Sequence, residues 1–273
     1  MKLILEDISF CYRRGNTKGP MVLRNVNLTL GDKMGYLLTG SCGSGKSTLA
    51  MLLKGLLLPA SGKISVRDGN MKPSVFQRSI GIVFQYPEEQ FFKDTVDEEV
   101  AFGPLMLGLD KIEEKVKDAI RTVGLDHEQI GKLSPFALSS GEKRRLAIAS
   151  IIACEPSWYI FDEPTAGLDM EGRALVVELI KQLLESKKTV IVITQELGLF
   201  LNICSDIIVL ERGMLKFVCD IKTFLEKKIL GEMESFLPYH IQVLRILRTR
   251  GWNIPVSITD PHKAVSIIAD YKR

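Results

Sequence analysis

Apolar positions along the chain follow two periods. Leu3 to Phe10 alternates loosely and Leu23 to Leu30 more clearly, which predicts two strands. A turn at Gly31-Asp32 leads into Lys33 to Thr39, a short apolar run that reads as a buried strand. Gly40 to Gly45 is glycine-rich and Ser47 to Lys54 has helix-forming composition, so strand, loop and helix follow one another here. Ile80 to Phe84 is another apolar run. From Thr95 to Val123 the period becomes helical, with a break around Gly108. Arg144 to Cys154 predicts a helix stopped by Pro156, followed by a short strand, Trp158 to Phe161. Arg173 to Leu184 reads as amphipathic helix, and Thr189 to Thr194 and Ile207 to Leu210 as further strands. Strands alternating with helices predict an α/β core around a mainly parallel sheet. Ile241 to Arg250 and Lys263 to Tyr271 read as two helices joined by GWNIPVSITDP. They give a small α-rich appendage over 221–273, after a main domain over 1–220.

Composition excludes more than it identifies. The formal net charge of +3, without a long basic run, gives no reason to expect a nucleic-acid partner. Five scattered cysteines with no CxxC pair suit a reduced cytosolic protein rather than a disulfide framework or a zinc site. The N-terminal segment lacks a signal-peptide layout. The most apolar stretch, Leu49 to Ala60, is broken by Lys54 and is too short to cross a bilayer. A membrane role would therefore be peripheral.

Candidate chemistry begins at Gly40-Ser41-Cys42-Gly43-Ser44-Gly45-Lys46-Ser47, which fits G-x-x-x-x-G-K-[ST] and is followed by Thr48. Small residues let successive backbone amides point inward around phosphates, and the helix behind adds its positive end. Lys46 is expected to reach the β- and γ-phosphates and Ser47 to ligate Mg²⁺. Trp158 to Phe161 runs into two adjacent acids, Asp162 and Glu163. Two acids after a strand also suit helix capping or a solvated turn. Beside a phosphate loop, Asp162 is expected to hold Mg²⁺ and Glu163 to act as general base on water. Alternation along the strand would aim them differently. Gln85, after Ile80 to Phe84, offers an uncharged amide that can reach both metal and water.

Leu138-Ser139-Ser140-Gly141-Glu142, then Lys143-Arg144-Arg145, resembles the LSGGQ signature of ABC ATPases, and Pro164 to Asp169 resembles their D-loop. Four motifs in the family's order span most of residues 1–220. The resemblance implies a P-loop fold with an antiparallel β subdomain at its N-terminus and a helical signature subdomain at about 87–155. It implies ATP and Mg²⁺ as cofactors. It also implies a two-subunit sandwich in which Ser139 and Gly141 cover the nucleotide of a partner and Asp169 lies at the dimer contact. Tyr12 is the best match for the aromatic that stacks on adenine, and Phe10 is the alternative. Val83 to Phe92, Thr95-Val96 and Glu99 to Pro104 are similar to energy-coupling factor (ECF) ATPases, which resemble the cobalt/nickel-uptake ATPases and energise vitamin or metal-ion import. That likeness implies a second ATPase subunit as partner, a transmembrane coupling subunit docking on 87–104, and a substrate-binding membrane subunit contacted indirectly. It also implies a place on the cytoplasmic face of the membrane.

One position departs from the family. A His normally follows the strand ending near Thr194, and this chain has Gln195 there. Gln donates a hydrogen bond but cannot become cationic. The expectation is a slower site on this chain's own P-loop and a heterodimer with a fully equipped partner. A DNA-repair head would need a long coiled-coil insertion, for which no heptad block exists. Translation-type proteins carry two such heads in one chain, and a non-catalytic switch conflicts with the retained Glu163. Another ABC transporter, or a soluble ABC ATPase outside transport, is the alternative reading.

Overall fold

The computed structural model describes residues 1–14, 17–67, 72–227 and 230–271. The first half contains strands β1 (Lys2–Arg14), β2 (Thr17–Gly31) and β3 (Gly35–Thr39), helix α1 (Lys46–Lys54), strand β4 (Ser61–Arg67), helix α2 (Pro73–Arg78) and strand β5 (Ile80–Val83). Helices α3 (Val96–Leu107), α4 (Ile112–Thr122), α5 (His127–Ile130) and α6 (Ser140–Ile152) come next. The second half alternates again, with β6 (Trp158–Asp162), α7 (Met170–Glu185), β7 (Thr189–Ile193), β8 (Asp206–Glu211), β9 (Met214–Asp220) and α8 (Ile221–Glu226). Helices α9 (Tyr239–Thr249) and α10 (Pro261–Asp270) close the chain.

Two sheets result. β1 pairs antiparallel with β2 on one side and β4 on the other. The larger sheet has the order β5-β6-β7-β3-β8-β9, parallel except for the last pair. Every residue of β3, β5, β6 and β7 is buried, as expected for strands covered on both faces. Period-two alternation divides them between two cores. Val190 and Val192 of β7 pack with Val176, Leu179 and Ile180 of α7, whereas Ile191 and Ile193 pack with Leu49, Leu52 and Leu53 of α1. Each fully buried Val or Ile contributes about 1.5–3 kcal/mol, which outweighs any local propensity in such short strands.

The helical region is set by its caps. Thr95 and Glu98 form a reciprocal capping box at the start of α3, and Gly108, at φ 65°, ends it where the sequence predicts a break. Beyond β9, Ile221, Phe224, Leu225, Met233, Leu237 and Ile241 belong to the larger core. Only from Leu244 does the tail build a core of its own, with Ile254, Val256 and Ala264. The buried Arg245 ties the two together, pairing with Glu234 at 2.6 Å and donating to the Leu225 carbonyl at 2.7 Å. Among the described residues no helix is long and apolar enough to cross a membrane.

Candidate active site

The C-terminal ends of β3, β5, β6 and β7 lie along one sheet edge, where open α/β sheets place their ligand crevice. Directly after β3, Gly40 adopts φ 148°, and a Cβ there would come 2.0 Å from the Leu210 carbonyl oxygen. Gly45, at φ 102°, precedes α1, and a Cβ on it would meet Leu23 at 2.7 Å. No side chain caps α1 and its first turn carries no acid, so its leading amides face the loop without a competing anion. Ser44 Oγ is buried without a hydrogen-bond partner, an orphan that suits a phosphate oxygen. Lys46 Nζ donates to the carbonyls of Gly40 at 2.8 Å and Ser41 at 3.0 Å, folded over its own loop. Burial pulls its pKa down, and the carboxylates of Glu163 and Asp162 partly restore it.

Asp162 ends β6 and is buried; burial pushes its carboxyl up, against a hydrogen bond from the Ser47 hydroxyl and the charge of Lys46. A bound cation would favour its ionised form. Ser47 and Asp162 already converge, and with the Gln85 amide they offer the hard oxygen donors that Mg²⁺ takes alongside phosphate. Glu163 has left-handed backbone, φ 50°. The separation of the two acids rests on that turn rather than on strand alternation. The Glu163 amide donates to the Ile193 carbonyl at 2.8 Å, Thr194 Oγ1 donates to its Oε2 at 3.0 Å, and the Gln195 amide also bonds the carboxylate. Burial nevertheless leaves its pKa raised.

The half-buried Gln195 thus stands beside Glu163. Gln85, two residues beyond β5, is exposed, and its carbonyl accepts from Arg144 Nη2 at 2.8 Å. Arg144 Nη1 donates to the Glu163 carbonyl at 2.8 Å, so one guanidinium of α6 fastens both segments. Tyr12 is 42% exposed and its hydroxyl lies 3.1 Å from Thr48 Oγ1, while Phe10, only 7% exposed, packs edge-on beneath it at 4.9 Å. Tyr12 therefore keeps the free ring face.

Ser139 and Gly141 stand apart from this cluster, at the start of α6 beside Leu168. Ser139 Oγ donates to Glu142 Oε2 at 2.6 Å, and that bond holds the Glu142 carboxyl below the usual range. Asp169 caps α7, accepting from the Gly172 amide at 2.8 Å. Four contributors have no role assigned from sequence: Thr194, Arg144, Glu196 and Thr165, the last inside the Pro164 to Asp169 loop, meet the site only through the fold. Arg144 lies inside Lys143-Arg144-Arg145, a run noted in sequence only as the trailer of LSSGE.

Phe92 and Phe102 pack edge to face at 4.8 Å under Lys93. With Asp94, Glu98 and Leu105 they line a cleft of about 400 Å³.

Known proteins resemble the chain in sequence and in fold. The sequence model of the ABC transporter family matches residues 23–166. Over its full length the chain is 36% identical to the energy-coupling factor transporter ATP-binding protein EcfA2 of Caldanaerobacter subterraneus subsp. tengcongensis, covering 98% of that protein. Among solved structures it is similar to CbiO1 of Clostridium perfringens, part of the ABC transporter complex CbiONQ, at 29% identity and TM-score 0.69, over 91% of this chain and 94% of that one. It is also similar to the dimeric post-hydrolysis state of the ATP-binding cassette MJ0796 bound to ADP and Pi, at 25% identity and TM-score 0.70, over 80% and 98% of the two chains.

Proposed function

The chain belongs to the ABC transporter family, and on that premise we propose that it is the ATP-hydrolysing subunit of an energy-coupling-factor importer for a vitamin or metal ion. Binding of ATP draws Lys46 off the Gly40 and Ser41 carbonyls and onto the β- and γ-phosphates, while the loop amides and Ser44 take the phosphate oxygens. Tyr12 stacks on the adenine. Ser47, Asp162 and Gln85 hold Mg²⁺, which when bound neutralises charge building on the phosphates. Glu163 accepts the proton of the attacking water, and Gln195 donates to the γ-phosphate. The observation that carries this reading is the Glu163 carboxylate, turned by its left-handed backbone and held by Thr194 and Gln195 beside Asp162 and Lys46.

Ser139 and Gly141 close the nucleotide site of a second ATPase subunit, with Asp169 at the contact and 221–273 adding to it. Gln195 in place of His favours a partner that is a different chain. The transmembrane coupling subunit docks on 87–104, where Phe92 and Phe102, with the exposed Leu105 and Met106 just beyond, supply apolar surface. This arrangement puts the chain on the cytoplasmic face of the membrane. Native mass spectrometry of complexes drawn from membranes in mild detergent, through a tag on this chain, tests the proposal. A second ATPase with one coupling and one small binding membrane protein supports it. A soluble homodimer without membrane subunits refutes it.

A further inference from the structure

Of three consecutive residues after β7, two bond the Glu163 carboxylate and the third does not. Thr194 Oγ1 donates to Glu163 Oε2 at 3.0 Å, and the Gln195 amide bonds the same carboxylate. The third, Glu196, reaches the loop that follows Glu163. Its Oε2 accepts from Thr165 Oγ1 at 2.9 Å, and its Oε1 pairs with Arg173 Nη1 at 2.7 Å. Arg173 Nε in turn donates to the Leu168 carbonyl at 3.0 Å. The Glu196 amide donates back to Thr194 Oγ1 at 3.0 Å, which closes a ring from Glu163 through the loop to Glu196, Thr194 and Glu163 again.

An isolated ion pair at such exposure contributes little. This one differs because Thr165 is fully buried and both carboxylate oxygens are engaged. A fixed Thr165 gives the carboxylate one orientation, and Arg173 extends that hold to the residue before Asp169. We infer that Glu196 is a positioning residue for hydrolysis, clamping the Thr194–Gln195 segment to the loop after Glu163 so that the general base and the Gln195 donor keep one mutual geometry. The same clamp passes movement at Asp169 to the acid, through Leu168 and Arg173. The inference rests on Glu163 being the general base.

Glu196→Ala, Glu196→Gln, Thr165→Val and Glu163→Gln, each made in the complex purified through a tag on this chain and with the partner ATPase silenced at its own P-loop lysine, test it by steady-state ATPase assays over ATP concentration. Loss of the clamp is expected to lower kcat about tenfold or more, as a mispositioned group does. KM for ATP should stay within about twofold, because phosphate and adenine contacts persist. Glu196→Gln keeps an acceptor for Thr165 and should recover most of the rate. Thr165→Val should act in the same direction and add little to Glu196→Ala. A parental kcat and KM in Glu196→Ala, with Glu163→Gln inactive, overturns the inference. Should Glu196→Ala fail to assemble, the same outcome in Thr165→Val overturns it. An active Glu163→Gln would instead overturn the site assignment itself.

Discussion

Replacing Gln195 with His should speed hydrolysis at this chain's own P-loop. The substitution leaves the main-chain bond from residue 195 to Glu163 in place, so only the side-chain donor changes. A neutral amide donor contributes about 0.5–1.5 kcal/mol and a charged one about 1.5–3 kcal/mol. The difference, about 1–1.5 kcal/mol, corresponds to about 5- to 10-fold in rate at 1.36 kcal/mol per decade. It is available only while the imidazole is protonated, below about pH 6.5 for an ordinary His. Single-turnover hydrolysis by the purified complex with the partner ATPase silenced at its own P-loop lysine, variant against parent, measures it from about pH 6 to about pH 8.5 on either side of that value. Taking the ratio cancels the Glu163 ionisation common to both. The expected ratio falls from about 5–10 at the acid end towards about one at the basic end. A ratio of one at every pH, or one that rises with pH, would refute the placement of residue 195 at the γ-phosphate.

Three further outcomes follow from the geometry. Tyr12→Ala removes a stacking face worth about 1–3 kcal/mol, so KM for ATP should rise by about 5- to 100-fold, while Tyr12→Phe stays near the parent; equal KM values would assign the adenine elsewhere. Burial raises the Asp162 pKa in the folded chain, so its charge weakens the ligand-free fold as pH climbs past that raised value. Asp162→Asn should therefore raise Tm under alkaline conditions, with the gain shrinking as pH falls through that value, and should abolish Mg²⁺-dependent hydrolysis; differential scanning calorimetry without nucleotide reads the first effect. Cys42 is exposed on the phosphate loop whereas Cys11 and Cys204 are buried. Thiol reagents should label Cys42 and inactivate the chain, and ATP should slow both together, as peptide mass mapping would record.

The order of elements along β3, α1, β6, α7 and β7 was legible because fully buried parallel strands are continuous apolar runs bounded by glycine or acid. Ser61–Arg67 gives no such signal, since β4 is an edge strand with most side chains exposed or half-buried. Met214–Asp220 does alternate, but it lies on the sheet edge and carries no buried residue that would mark its face. The phosphate loop and the two acids were readable as motifs, because anion binding by backbone amides demands glycines at fixed spacing. Arg144, Thr165, Thr194 and Glu196 were not. Their roles depend on contacts between segments 19 to 59 residues apart, which only the strand order brings together. The tail illustrates the same point: its last two helices were visible in sequence, but α8 and the assignment of Ile221 to Ile241 to the main core were not, because they depend on packing.

The central claim, that Glu163 is the general base of a nucleotide site shared between two subunits, is tested most directly by Glu163→Gln in the assembled complex. After incubation with ATP and Mg²⁺, native mass spectrometry would count the nucleotides retained and distinguish ATP from ADP. The account predicts ATP held at this chain's P-loop between two ATPase subunits that stay together, with ADP in the parent complex. Conversion of every bound ATP to ADP, or ATP bound to a lone subunit, would contradict it.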